Sequence, residues 1–305
     1  MEDKNFLAQE TENLIKQWES YNQELLADYL VQSFQDPRIN PQSILARRHI
    51  ADSIANRKFR DLADEELAWA FDANRILREY EKEHGVSVHN LSATKRELPE
   101  NKLYQTLYQE LFDERQKELR AQWMKELAPY ADSTEKPTVL EAACGAANDY
   151  RFLEAYGFGR AIKYKGFDLN ATNVATAQRR HPETTFVRGN ILELDEADKS
   201  WDVMVIHDLF EHLHIDACHV AMKEAVRVTR NKIIISYFSM DEIDDHQIKP
   251  VKHYHRNILS REKTEQEWRD LGAQVQSTHI NSIASEYGFS EFHNRKAYTF
   301  VVTPS

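Results

Sequence analysis

"VLEAACGAANDYRFLEAYG", Val139 to Gly157, reads like a glycine-rich nucleotide loop from which most of the glycine has been removed. An apolar run ends in the carboxylate of Glu141, small residues surround Gly145, and a helix opens at Asn148 and Asp149. That is the layout of a strand, a tight turn and a helix N-terminus, where α/β proteins hold an anionic or adenosine-bearing ligand. Ala-rich turns of this kind also occur as ordinary packing, so the flanking sequence has to decide between the two.

After Thr138, β-like runs alternate with helical stretches. The strands fall at Val139 to Ala143, Ala161 to Phe167, Thr185 to Arg188, Asp202 to His207, Lys232 to Phe238, Ala273 to Ile280 and Ala297 to Val302. Helices are expected at Asp149 to Ala155, Ala171 to Arg180, Ile215 to Val228 and Arg261 to Leu271. This alternation predicts an α/β fold, a Rossmann-like seven-stranded, mostly parallel sheet with helices on both faces. The last two strands show no helix between them and are expected as an antiparallel edge hairpin.

Before Thr138 the period is helical. Leu14, Ile15, Trp18, Tyr21, Leu25, Leu26, Tyr29 and Leu30 follow helical spacing. Pro37 and Pro41 punctuate the chain, and Gly85 suits a helix C-terminus. A long helix from Glu100 carries an aromatic stripe, Tyr104, Tyr108 and Phe112, which reads as a core-facing stripe or as cover for a ligand. "APYADSTEKP" reads as a polar linker, so the expected division is a helical cap or association domain over 1–130 and a ligand-binding domain over 131–305.

Bulk properties narrow the class. The 305 residues are 41% hydrophobic and 29% charged, enough for a substantial core. The opening "MEDKNFLAQE" is charged, and no apolar run approaches the ~20 residues of a membrane span. Cys144 and Cys218 are the two cysteines, which argues against a disulfide framework and for a cytoplasmic setting. A formal net charge of −11 disfavours attraction to nucleic acid or anionic membrane.

In a doubly wound sheet the residues just past each strand carry the ligand. Here they are Asp168 in "YKGFDLN", Asn190 in "FVRGNIL" and the run "VIHDLFEHLH". From Thr138 to Thr303 the chain resembles the class I S-adenosylmethionine-dependent methyltransferases. Glu141 and Gly145 match that family's acidic residue and glycine turn, Asp168 its ribose-binding acid, Asn190 its adenine-side acid, and "VIHDLFEHL" its Leu-x-x-His pattern. The segment "YHRNILSREKTEQEWRDLG" is similar to the family's stretch between the fifth strand and last helix. The resemblance implies S-adenosyl-L-methionine as cofactor, held by Glu141, Ala142, Ala143, Gly145, Asp168, Leu169, Asn190, Ile191 and His207.

Two departures stand out. Ala143 and Ala147 replace the family's outer glycines; alanine tolerates a turn without positive φ but brings a methyl group closer to the ligand, which predicts a slightly reshaped loop. Asn190 replaces an Asp, keeping the carbonyl acceptor and losing the charge. The rival cofactor is a nicotinamide dinucleotide, but "CGAAND" supplies one glycine and sets Asp149 where pyrophosphate would lie. A carboxylate there repels phosphates and not a sulfonium.

The resemblance implies methyl transfer to a small molecule, at a hydroxyl or an amine. A hydroxyl acceptor needs a base, and His207, Asp208, Tyr254 and His255 are the expected catalytic residues. His212 reads as a packing residue and Cys144 as a turn residue. His246 and His253 are the remaining histidines near the segment. "HDLFEHLH" has no recognised metal spacing, and no metal is expected. A homo-oligomer formed through the helical half is a further expectation, and the alternative function is a non-catalytic cofactor-binding protein whose helical half binds a partner.

Overall fold

The computed structural model describes residues 6, 8, 9, 12, 40–55, 59–85, 115–252, 254–289 and 294–305. Pro37, the stripe Tyr104, Tyr108 and Phe112, and His253 lie outside the described residues. The chain forms two compact units: 1–20, 135–150 and 162–305 make one, 21–134 and 151–161 the other.

The second unit is helical. Its helices are α1 (Pro41–Ala55), α2 (Arg60–His84) and α3 (Arg115–Leu127), joined by most of α4 (Tyr150–Ala155) and by the single turn α5 (Phe158–Ala161). Asn40 Oδ1 accepts the Gln42 N–H and caps α1, while Gly85, at φ +66°, ends α2 in the left-handed region that suits glycine. Trp123 anchors this core, stacked on Phe59 at 5.7 Å and tilted against Phe158 at 5.5 Å. Within it Arg47 is ion-paired with Glu66, Trp123 Nε1 donates to Glu66 Oε2 at 3.0 Å, and the Arg47 guanidinium lies 4.4 Å over the Tyr156 ring. These contacts explain why 151–161 groups with the helices although the expected boundary stood at 130/131.

The first unit is the α/β fold. Its strands are β1 (Thr138–Ala142), β2 (Lys163–Asp168), β3 (Thr185–Arg188), β4 (Trp201–His207), β5 (Thr229–Tyr237), β6 (Gln274–His279) and β7 (Tyr298–Thr303). The helices are α6 (Ala171–Arg180), α7 (Ile215–Val228), α8 (Arg261–Asp270) and α9 (Ile280–Glu286). The sheet order is β6–β7–β5–β4–β1–β2–β3, with β7 antiparallel to both neighbours and β1 to β5 mutually parallel. One expectation changes: α9 lies between β6 and β7, so they are not a direct hairpin. Ile280, Ile283 and Ala284 bury one face of that short helix.

Alternate residues of the central strands, Leu140, Met204, Ile206, Ile233, Ile235 and Phe300, pack on Ala221, Ala225 and Trp268 from α7 and α8. Burying each Leu or Ile fully contributes about 1.5–3 kcal/mol. Asn170 and Ser260 cap α6 and α8 with side-chain oxygens. The order of strands reverses between β1 and β4, the switch point where an open α/β sheet leaves a crevice beyond the strand ends.

Candidate active site

β1 delivers Glu141, buried, to the crevice. Tyr164 Oη donates to Glu141 Oε2 at 2.5 Å across the β1–β2 pair. Gly166 makes room for this: a Cβ there would lie 2.8 Å from the Phe186 ring and 2.9 Å from the Tyr164 hydroxyl. Burial, then the Asp149 charge, push Glu141 up to about 8.

The loop after β1 is tied at several points. Cys144 N–H donates to Phe167 O (3.0 Å), Gly145 N–H to Asp168 Oδ2 (2.9 Å), Ala147 N–H to Cys144 O (3.0 Å), and Arg180 Nη1 to Ala146 O (3.0 Å). Ala143, Gly145 and Ala147 sit at φ +53°, +54° and +66°. The expectation of a turn without positive φ at the alanines is therefore corrected: the alanines keep the left-handed backbone, and the hydrogen bonds hold them at roughly 1–2 kcal/mol each. A Cβ on Gly145 would meet nothing within 4 Å, so the space above the loop is open.

Asp168 is 2% exposed. Besides Gly145 it takes Asn170 N–H at 2.8 Å and Asn173 Nδ2 at 3.3 Å on Oδ1, binding the loop to the start of α6. Burial raises its pKa against those three hydrogen bonds. Leu169 O accepts Arg188 Nε at 3.2 Å. Beyond β3, Asn190 Oδ1 accepts Leu192 N–H at 3.0 Å and its carbonyl accepts Glu193 N–H at 3.1 Å, with Ile191 buried in the turn between them.

β4 ends at His207, whose Nδ1 lies 3.0 Å from Asp149 Oδ2. Burial opposes charge on this ring, but the Asp149 charge and hydrogen bond, with Glu141 and Asp208, push it up to about 9. The raised pKa favours the imidazolium, whose Nδ1–H donates to Asp149. Its Nε2 is buried, with no hydrogen-bond partner among the described residues. Asp208 has φ +48°, held by its N–H on Ser236 O at 2.9 Å, and burial pushes it up to about 6. Its Oδ1 is buried without a donor among the described residues.

Glu211 was not expected from the sequence and is 0% exposed. Its Oε1 accepts Phe238 N–H (2.6 Å) and Ser239 N–H (3.2 Å), and its carbonyl accepts Asn257 N–H (2.9 Å). Oε2 has no partner among the described residues. Burial, then the Asp208 charge, push Glu211 up to about 8. Asn257 Nδ2 also donates to Leu213 O at 2.8 Å, and its Oδ1 accepts Lys249 N–H at 3.1 Å, fastening segment 249–260 onto the turn after β4.

That fastening sets Tyr254 and His255 beside His212 and His214. His212 Nδ1 donates to His255 O at 3.1 Å, and its ring lies 5.4 Å from Phe238 and 5.9 Å from Tyr254. Burial lowers the pKa of His212. The His214 ring meets His255 at 5.4 Å and Phe6 at 4.9 Å. The structure thus gathers Glu141, Asp149, His207, Asp208 and Glu211 by contact or charge, and Tyr254 and His255 in an adjoining ring cluster. His246 is structural: Nδ1 accepts Ser260 N–H at 3.0 Å and Nε2 lies 3.1 Å from Glu267 Oε1. A signal for Tyr164 existed in the strand glycine two residues on; Glu211 and Asn257 act through backbone groups distant in sequence and left none.

The fold and this crevice define a Rossmann-like cofactor-binding domain. Residues 139–232 match the family model described as a methyltransferase domain. The residues fit S-adenosylmethionine: open space lies over Gly145, and Glu141 and Asp149, on either side of the loop, offer side-chain oxygens to an ammonium group.

Three solved structures are similar in part. Magnesium protoporphyrin IX methyltransferase from Synechocystis PCC 6803, with bound SAM, is 13% identical, with TM-score 0.40 over 61% of this chain and 79% of that one. A 1,6-didemethyltoxoflavin-N1-methyltransferase from Burkholderia thailandensis is 17% identical, with TM-score 0.41 over 60% and 76%. Geranyl diphosphate C-methyltransferase from Streptomyces coelicolor is 13% identical, with TM-score 0.43 over 68% and 86%. No curated protein matches the sequence. Among the described residues no helix is long and apolar enough to cross a membrane.

Proposed function

We propose that the crevice transfers a methyl group to a hydroxyl or amine of a small molecule, and that Asp208 receives the acceptor's proton. The observation that carries this reading is the open Asp208 Oδ1, buried at the end of β4 beside the cofactor loop. His207 is less suited to the base role, because the Asp149 charge and hydrogen bond favour its protonated form and hold the proton on Nδ1. The bound cofactor supplies an activated methyl carbon; the chain's part is to orient the acceptor and exclude water.

In this reading Glu141, the backbone from Ala142 and Ala143 to Gly145, and Asp168 hold the cofactor's methionyl and ribose parts, with Asp168 acting partly through the Gly145 N–H it already binds. Leu169, Asn190 and Ile191 form the adenine side. Tyr254 and His255 line the acceptor side, and the helical unit serves as a cap or an oligomerisation surface of a cytoplasmic enzyme. The test has two stages. Calorimetric titration with S-adenosylhomocysteine should show binding, and release of labelled methyl from S-adenosylmethionine should follow addition of cell extract as acceptor source. Binding without turnover, across extracts of varied origin, would leave the domain as a cofactor-binding module.

A further inference from the structure

Two acceptor atoms behind β4 ask for more than a single hydroxyl can give. Asp208 Oδ1 and Glu211 Oε2 are both buried and neither meets a donor among the described residues. Their side chains feel one another's charge. A buried acceptor left unmade costs about 1–3 kcal/mol, more when charged. A hydroxyl brings one hydrogen to such a pair, whereas an ammonium brings up to three.

The surroundings point the same way. Glu141, Asp149, Asp168, Asp208 and Glu211 converge on the crevice, and His207 is the cation built among them. Aromatic rings adjoin these acids. Phe238, whose N–H is held by Glu211, lies against His212, and His212 against Tyr254. Burial keeps His212 neutral, so the rings add no positive charge. Buried carboxylates beside aromatic faces are the chemistry that selects an organic ammonium over a neutral isostere. Asp208 also keeps a left-handed backbone, φ +48°, a posture found where surrounding structure fixes a functional side chain.

We propose that the acceptor is an amine, taken up as its ammonium, with N–H groups donating to Asp208 Oδ1 and Glu211 Oε2 and its organic part against Phe238, His212 and Tyr254. This rests on the methyl-transfer reading above and narrows it. One N–H proton passes to the Asp208 carboxylate, and the freed nitrogen lone pair forms the bond to the methyl carbon. The carbon–sulfur bond breaks with its electron pair staying on sulfur, leaving a methylated ammonium, a neutral thioether and a protonated Asp208. Charge is conserved, and no further reactant is needed. Glu211, lifted to about 8, carries a proton before the cation arrives and releases it on binding.

The experiment uses the full chain loaded with S-adenosylhomocysteine and two probes of one shape, benzylammonium and benzyl alcohol, titrated at pH 7 by ligand-observed NMR. Benzylammonium should bind saturably and at least tenfold more tightly than benzyl alcohol. In Asp208→Asn and Glu211→Gln the preference should fall below twofold, while affinity for S-adenosylhomocysteine stays within twofold of the parent. Asn tolerates left-handed φ, and Gln keeps an oxygen for the Phe238 and Ser239 N–H groups, so either variant that retains the parent's thermal transition decides the matter. Equal affinity for the two probes, no binding of benzylammonium, or a preference that survives both substitutions overturns the amine assignment. Failure to bind S-adenosylhomocysteine at all would instead undo the methyl-transfer reading beneath it.

Discussion

Glu66 in the helical unit and Glu211 in the α/β unit are both 0% exposed, and they are treated differently by their surroundings. Glu66 has a donor on each oxygen, from Arg47 and from Trp123 Nε1. Glu211 has two backbone donors on one oxygen and none on the other among the described residues, with a second open carboxylate, Asp208, nearby. Burial alone therefore does not mark a functional acid. A carboxylate whose valences are closed by its own chain is a pin, and one left open is set for something the chain does not contain.

The largest expected effect tests the pin. Removing one partner of a buried pair leaves the other charge uncompensated, so Glu66→Ala should lose about 3–5 kcal/mol in urea unfolding. Glu211→Gln should lose far less, because Gln keeps an oxygen for the Phe238 and Ser239 N–H groups and replaces a carboxyl that burial already holds protonated. Similar losses from the two would erase the distinction. Next comes turnover: once an acceptor is in hand, Asp208→Asn should slow methyl transfer about 10²- to 10⁴-fold with S-adenosylhomocysteine binding intact, and calorimetry alongside a rate assay reads both.

A smaller effect lies in the pH dependence. The ordinary value for Glu211 and Glu141 is 4.5, and both are raised to about 8, so the folded state binds protons that the unfolded chain has released. His207, raised from 6.5 to about 9, acts in the same direction: its contribution is complete below 6.5 and lost as pH rises through 9. Unfolding free energy of the ligand-free protein should thus fall between pH 6.5 and 9, with a shallower fall in Glu211→Gln. A curve that rises with pH would contradict the assignment of these protons. The smallest effect concerns the loop: Ala143→Gly and Ala147→Gly relieve left-handed strain but free the unfolded chain, for a net gain of under about 1 kcal/mol each, readable in paired denaturation curves.

Much of the α/β fold was legible because each element carries its own signal. β3, α6 and α7 occupy the residues their periodicity predicts, since Asn170 caps one helix and apolar spacing runs unbroken through the other. α9 was missed because seven residues with three buried positions make a weak pattern beside two strands. At the candidate site, strand ends pointed to Glu141, Asp168, His207 and Asp208, which the structure sets in or beside the loops after β1, β2 and β4. They did not show that Asp149 closes on His207, 58 residues away, or that Glu211 holds Phe238 and Ser239. Such pairings are made by topology, and no local spacing encodes them. The alanines of the loop were misread for a related reason: residue preference predicts relaxed φ, and tertiary hydrogen bonds to Phe167 and Asp168 overrule it.

The segment 151–161 has a consequence for synthesis. Tyr156 and Phe158, both 0% exposed, fill the helical core against Arg47 and Trp123, yet they follow β1 and the cofactor loop in the chain. On the ribosome, residues 21–134 emerge before β1 and cannot complete their core until Phe158 follows, a delay of seconds at about 5–20 residues per second. β1 is synthesised before the side chains that complete the helical core. A fragment begun at residue 131 would carry the same two rings with no helical core to receive them, so the helical unit is completed only after the first strand of the sheet has been made.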